Sequence, residues 1–204
     1  MVCAMISCGI VADQNPIKKE AHPGKVVPRK IALAIFNGTD TTMANAMAVA
    51  LRSEWTPDVD IVRVGDEPAF AFYPPRKRWI ADSLLVFLER NNGGRYLKMA
   101  GISSRDISTR KGEVENWGVM GLGFCPGGAC VVSSFRAKPG TQGFLLRMRS
   151  LLFHELGHTF GLPHCPSMGC IMEDAKGKMT LDGEKSFCYA CRKRLQDMGW
   201  LRIR

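Results

Sequence analysis

The eleven-residue string His154-Glu155-Leu156-Gly157-His158-Thr159-Phe160-Gly161-Leu162-Pro163-His164 constrains this chain more than any other feature. Two histidines four apart project from adjacent turns of one helix face, so both imidazoles reach a single tetrahedral metal. Glu155 is displaced about 100° around the helix, where it can touch a metal-bound water without being a ligand. Gly161 lets the backbone turn sharply after the helix, and the turn swings His164 back as a third ligand. Three protein ligands leave one position for water, whose pKa zinc lowers toward about 7. The pattern points to metal-assisted hydrolysis with Glu155 as general base. The competing reading, three histidines without a metal, has no mechanical explanation for their crowding between positions 154 and 164.

Four of the eight cysteines follow at once, in the pairs Cys165/Cys170 and Cys188/Cys191. C-x4-C and C-x2-C at this separation suit a closed four-thiolate zinc site, which is structural. His164 and Cys165 are neighbours, and side chains of adjacent residues in an extended segment diverge, so two zinc ions should lie close together. The spacing predicts a last helix over Glu184–Gly199, capped by Asp182, with Phe187, Leu195 and Met198 inward and Cys188 and Cys191 on one face.

With HELGHTFGLPHC, Cys170-Ile171-Met172 and Cys188-Tyr189-Ala190-Cys191, the sequence resembles the archaemetzincins, a branch of the metzincin zinc peptidases. The resemblance implies a zinc-dependent metallopeptidase acting on peptides or proteins, with catalytic zinc on His154, His158 and His164 and structural zinc on Cys165, Cys170, Cys188 and Cys191. It implies a methionine turn under the metal at Met172. It implies a metzincin-like α/β (α+β) fold, with a mixed twisted sheet packed on helices and a small zinc-stapled C-terminal lobe. In that fold an edge strand pairs with extended substrate, and Ala129–Phe135 is the candidate. It also implies a cytosolic enzyme.

Upstream, Lys30–Phe36 reads as a buried first strand and Asp60–Val64 as a second. Thr41 or Thr42 caps a helix through Arg52, and Arg78–Asn91 carries apolar residues at helical spacing until Asn92-Gly93-Gly94 stops it. Extended pieces follow at Tyr96–Ile102, Gly118–Phe124 and Ala129–Phe135, the last two forming a hairpin around Pro126-Gly127-Gly128. Cys125 and Cys130 bracket this turn and are read as reduced, with a disulfide as the alternative. The active-site helix spans about 141–162, with Leu145, Met148, Leu152, Leu156 and Phe160 on its core face. Arg147, on the histidine face, either orients a carboxylate or substrate or sits in a surface salt bridge.

At 204 residues, 46% apolar and 23% charged, the chain suits one catalytic domain over 29–204, divided at 162/163, after a poorly ordered leader over 1–28. That leader lacks the basic start and sustained apolar run of a secretory signal, leaving an exported or Cys8-lipidated form as a minor alternative. No run approaches the roughly 20 apolar residues of a membrane span. The net charge of +9 is spread along the chain, which favours a solvated surface and a monomer. The rival class, a non-catalytic zinc module binding nucleic acid or an acidic partner, lacks a basic recognition helix or an aromatic-rich basic strand.

Overall fold

The computed structural model describes residues 29–174 and 185–203; the expectation of a leader over 1–28 and of a cap at Asp182 falls outside them. Strand β1 (Lys30–Ile35) is the centre of the construction. Its side chains alternate: Ile31, Leu33 and Ile35 enter one core, while Ala32 and Ala34 enter another on the opposite face. That is the period of two expected of a strand buried on both sides.

On β1 the chain adds β2 (Asp58–Arg63) and β5 (Lys98–Ser103) in parallel, then β9 (Ala129–Ser133) in parallel on β5. Strand β8 (Gly121–Gly123) joins β9 antiparallel, giving the order β2-β1-β5-β9-β8. Helices α1 (Thr41–Glu54) and α3 (Phe144–Thr159) cover the Ile31/Leu33 face, and α2 (Ala81–Asn92) covers the other. A second sheet in the order β3-β4-β6-β7 stands beside α2, from β3 (Phe72–Tyr73), β4 (Arg78–Ile80), β6 (Ile107–Lys111) and β7 (Val114–Val119). The fold is mixed α/β, as the sequence implies. No described helix is long and apolar enough to cross a membrane.

Several boundaries differ from expectation for local reasons. The cap of α1 is Asp40 rather than Thr41 or Thr42: its carboxylate accepts from Thr42 N at 2.8 Å, which satisfies an otherwise orphaned donor. Residues 78–80 are strand rather than helix, because Trp79 and Ile80 pair with β6. The stretch 118–124 is not one strand. It changes partner at Met120, with Val119 paired to Ile107 of β6 and Gly121 to Val132 of β9.

That exchange corrects the edge assignment. Strand β9, ACVVS, is buried at every residue and lies between β5 and β8. A strand buried at every residue gains by neighbours on both sides, so the edge falls to the glycine-bearing β8.

Helix α3 is also shorter than the expected 141–162, starting after Gly143 at φ 77° and ending before Phe160. Leu145 is exposed, and the second half of the helix is buried all round rather than on one face. Arg147 is not the surface residue that one of its two readings expects. It is buried and donates to Ala137 O and Gln142 O, both at 3.0 Å, and to Thr141 Oγ1, tying down the loop that precedes the helix.

Candidate metal centre

Helix α3 delivers His154 and His158 from successive turns, and Gly161, at φ 85°, provides the turn that returns the chain to His164. The three rings face one another with centroids 4.7, 5.4 and 4.9 Å apart. Two of them are aimed by main chain. The Nδ1–H of His154 donates to Ile171 O and that of His158 to Leu162 O, each at 2.7 Å, which leaves both Nε2 lone pairs pointing inward. Those two Nε2 atoms are 3.1 Å apart. Corners of a zinc tetrahedron with Zn–N of about 2.0–2.1 Å lie roughly 3.4 Å apart, so the spacing fits. The Nε2 of His164 is buried with no hydrogen-bond partner among the described residues, which is costly unless a cation takes the lone pair.

Electrostatics agree with that donor set. Burial, helped by His158, pushes the His154 imidazole down to about 3, burial pushes His158 down to about 4, and burial lowers His164. All three are therefore neutral at neutral pH, the form that binds a metal. Burial alone pushes the Glu155 carboxyl up to about 8, and its Oε2 has no hydrogen-bond partner among the described residues. A nearby cation would favour the carboxylate.

Met172 is fully buried beneath the helix. A β-carbon placed on Gly157 would lie 2.6 Å from Met172 Sδ, so the glycine between the two histidines is what lets the methionine approach. Met172 also supplies its carbonyl to Cys165 N at 2.8 Å, and Ile171 N donates to Ser186 O at 2.9 Å. The turn that aims His154 is therefore fastened to the cysteine segment.

Cys165, Cys170, Cys188 and Cys191 form a second cluster, immediately beyond His164. Cys165 Sγ and Cys188 Sγ are 3.8 Å apart, the separation of two corners around a metal with Zn–S of about 2.3 Å. Main-chain N–H groups of Ser167 and Cys188 donate to Cys165 Sγ and Cys170 Sγ, both at 3.4 Å. The Cys191 N–H holds the Cys188 thiol down to about 6. Burial pushes Cys191 and Cys170 up, so a cation beside them would favour their thiolate forms.

The last helix, α4 (Tyr189–Asp197), is shorter than expected. Cys188 caps it rather than lying on its face, while Phe187 and Leu195 are buried and Met198 is 39% exposed, not inward. Cys125 and Cys130 form no disulfide: Cys130 is buried, and Cys125 donates its thiol to Leu162 O at 3.6 Å.

The sequence reading missed the main-chain acceptors Ile171 O and Leu162 O and the role of Gly157. It also missed the carboxylate of Glu54, which reaches Arg149 from α3 and, at 3.2 Å, Arg192 from α4. Only the alternating Gly121-Leu122-Gly123 hinted at a strand pressed against a helix.

The geometry has counterparts. The archaemetzincin of Methanopyrus kandleri is 35% identical over 131 residues, 63% of this chain and 72% of the relative, and that of Haloquadratum walsbyi is 29% identical over 159 residues, 72% and 88%. The crystal structure of Methanopyrus kandleri archaemetzincin matches with a TM-score of 0.71 at 28% identity, covering 86% of this chain and 98% of that one. Archaemetzincin from Archaeoglobus fulgidus, crystallised with malonate, shares the fold at 21% identity and a TM-score of 0.67, covering 81% and 99%. Residues 47–197 match the sequence model of peptidase family M54, and the chain belongs to that family, the zinc metallopeptidases that include the archaemetzincins.

Proposed function

We propose that this chain hydrolyses peptide bonds with zinc held by His154, His158 and His164 and with Glu155 as general base, and that a second, structural zinc is held by Cys165, Cys170, Cys188 and Cys191. The reading is carried by the meeting of three neutral imidazoles with inward Nε2 atoms and a carboxylate whose Oε2 is buried without a partner. Zinc bound there supplies Lewis acidity and brings the acidity of water near neutral pH.

Glu155 takes the proton of the attacking water at its carboxylate and returns it to the leaving nitrogen of the peptide. Ile171 O and Leu162 O keep the imidazoles from rotating while this happens. Strand β8, at the end of the sheet and against the helix that carries Glu155, offers main-chain groups to an extended peptide. This takes over the substrate role that the family resemblance implies for Ala129–Phe135. Residues 163–174 and 185–203 form a lobe stapled by the cysteines, whose metal would tie α4 to the turn bearing His164 and Met172.

Glu155→Gln keeps the side chain's volume but cannot take a proton. The variant should retain two zinc atoms per chain, one for each cluster, by elemental analysis. Its cleavage of an unbiased peptide library, read by mass spectrometry, should fall about 10²- to 10⁴-fold. Cleavage at the parent's rate would remove Glu155 from the role of base.

A further inference from the structure

Strand β8 carries glycine at two alternate positions, Gly121 and Gly123, and both face α3. Neither has the left-handed backbone that calls for glycine, so close approach is the reason for them. A β-carbon on Gly123 would lie 2.7 Å from the main-chain oxygen of Glu155 and 3.2 Å from Cys130 Cβ. One on Gly121 would lie 2.6 Å from Glu155 Cγ and Oε1 and 2.9 Å from Cδ. Non-bonded carbon atoms settle at about 3.5–4.0 Å, so neither addition fits as the structure stands.

The two glycines meet different parts of the same residue. At Gly123 the obstacle is helix backbone, which yields only if the strand and helix part. At Gly121 it is side chain, from Cγ outward, which can turn about its own bonds while the backbone of strand and helix stays in place. Glu155 Oε2 has no hydrogen-bond partner among the described residues, so contact rather than a bond to that oxygen decides where the carboxylate rests.

We infer that Gly121 is a positioning residue for peptide hydrolysis: its bare α-carbon is the wall that sets the Glu155 carboxylate in place. The inference rests on the reading of Glu155 as general base. Restoring van der Waals distance to an added methyl moves the carboxylate by roughly 1 Å, a misplacement that costs on the order of 10²-fold in rate.

The test uses the zinc-loaded full chain and a library peptide that the parent cleaves. Gly121→Ala should keep its zinc and its thermal unfolding midpoint, and KM should stay within about twofold while kcat falls about 10- to 100-fold. A crystal structure of the variant should show the carboxylate turned from its parent position. Glu155→Asp withdraws the carboxylate by one methylene, so Gly121→Ala combined with Glu155→Asp should be no slower than Glu155→Asp alone.

Parent-like kcat in Gly121→Ala would overturn the inference, as would a loss that follows zinc loss or unfolding, or an undiminished Gly121→Ala penalty in the Glu155→Asp background. Failure of the underlying reading is distinguishable. An active Glu155→Gln removes the base and this inference with it, whereas an inactive Glu155→Gln beside a fully active Gly121→Ala removes only the inference.

Discussion

The two clusters sit on adjoining residues yet are supported in opposite ways. His154 and His158 ride a sixteen-residue helix whose second half is buried all round. The cysteines ride short isolated bridges, Cys165 to Glu173 and Cys170 to Ser186, and a nine-residue helix with one buried residue, Leu195. In the histidine centre the core holds the ligands still. In the cysteine cluster, on the assignment proposed, the ligands hold the core. Packing and metal thus substitute for each other along a single chain.

The largest effect on this contrast should come from Cys191→Ser. Structural zinc contributes about 10–16 kcal/mol to folding in small zinc peptides, so even a fraction of that exceeds what α4 can supply from its own packing. The variant should lose one zinc and become sensitive to proteolysis after residue 163. Activity should fall too, because His164 is bonded to Cys165. Full zinc content and parent-like protease resistance would break the contrast.

A middle-sized effect is expected from Glu54→Gln. Glu54 is buried and bridges Arg149 and Arg192, whose side chains are 16% and 25% exposed. Removing one partner of a fully buried pair costs about 3–5 kcal/mol, and the residual hydration of both guanidiniums reduces this to about 2–3 kcal/mol. Denaturant titration should read that loss while the zinc of the histidine centre stays bound. Loss of that zinc would mean that the two regions are less separate than their packing implies.

The smallest effect should follow Lys98→Met. Lys98 donates to Gly127 O at 2.6 Å and Thr159 O at 2.8 Å, tying the β8–β9 turn to the end of α3. Its ammonium is partly desolvated, since burial lowers its pKa, so the net loss should be about 1 kcal/mol by the same titration. A loss several times larger would show that the histidine helix depends on this turn more than on its core.

Both clusters were legible in the sequence because ligand spacing is local. Four residues along a helix, a glycine and a third histidine carry their geometry wherever the chain goes. The first strand was legible because KIALAIF is a short, β-prone apolar run that ends at Asn37-Gly38. The second sheet was not. Its strands RWI, ISTRK and VENWGV are short and of mixed polarity, and RWI becomes a strand only through partners 28 residues away, Trp79 pairing with Ile107 and Ile80 with Ser108. The edge was assigned to β9 because a continuous apolar run looks like any strand; its two neighbours appear only once β8 is folded onto it. The bonds of Arg147 to Ala137 O and Gln142 O could not be read, since they end on carbonyls of a loop whose path the helix itself determines.

The two oxygens that orient His154 and His158 belong to peptide bonds, at Ile171 and Leu162. No single codon change deletes a carbonyl, so this tier of the centre is shielded from genetic drift in a way that an aspartate or glutamate acceptor would not be. The aim of both rings is therefore inherited with the path of the backbone rather than with the identity of any acceptor side chain.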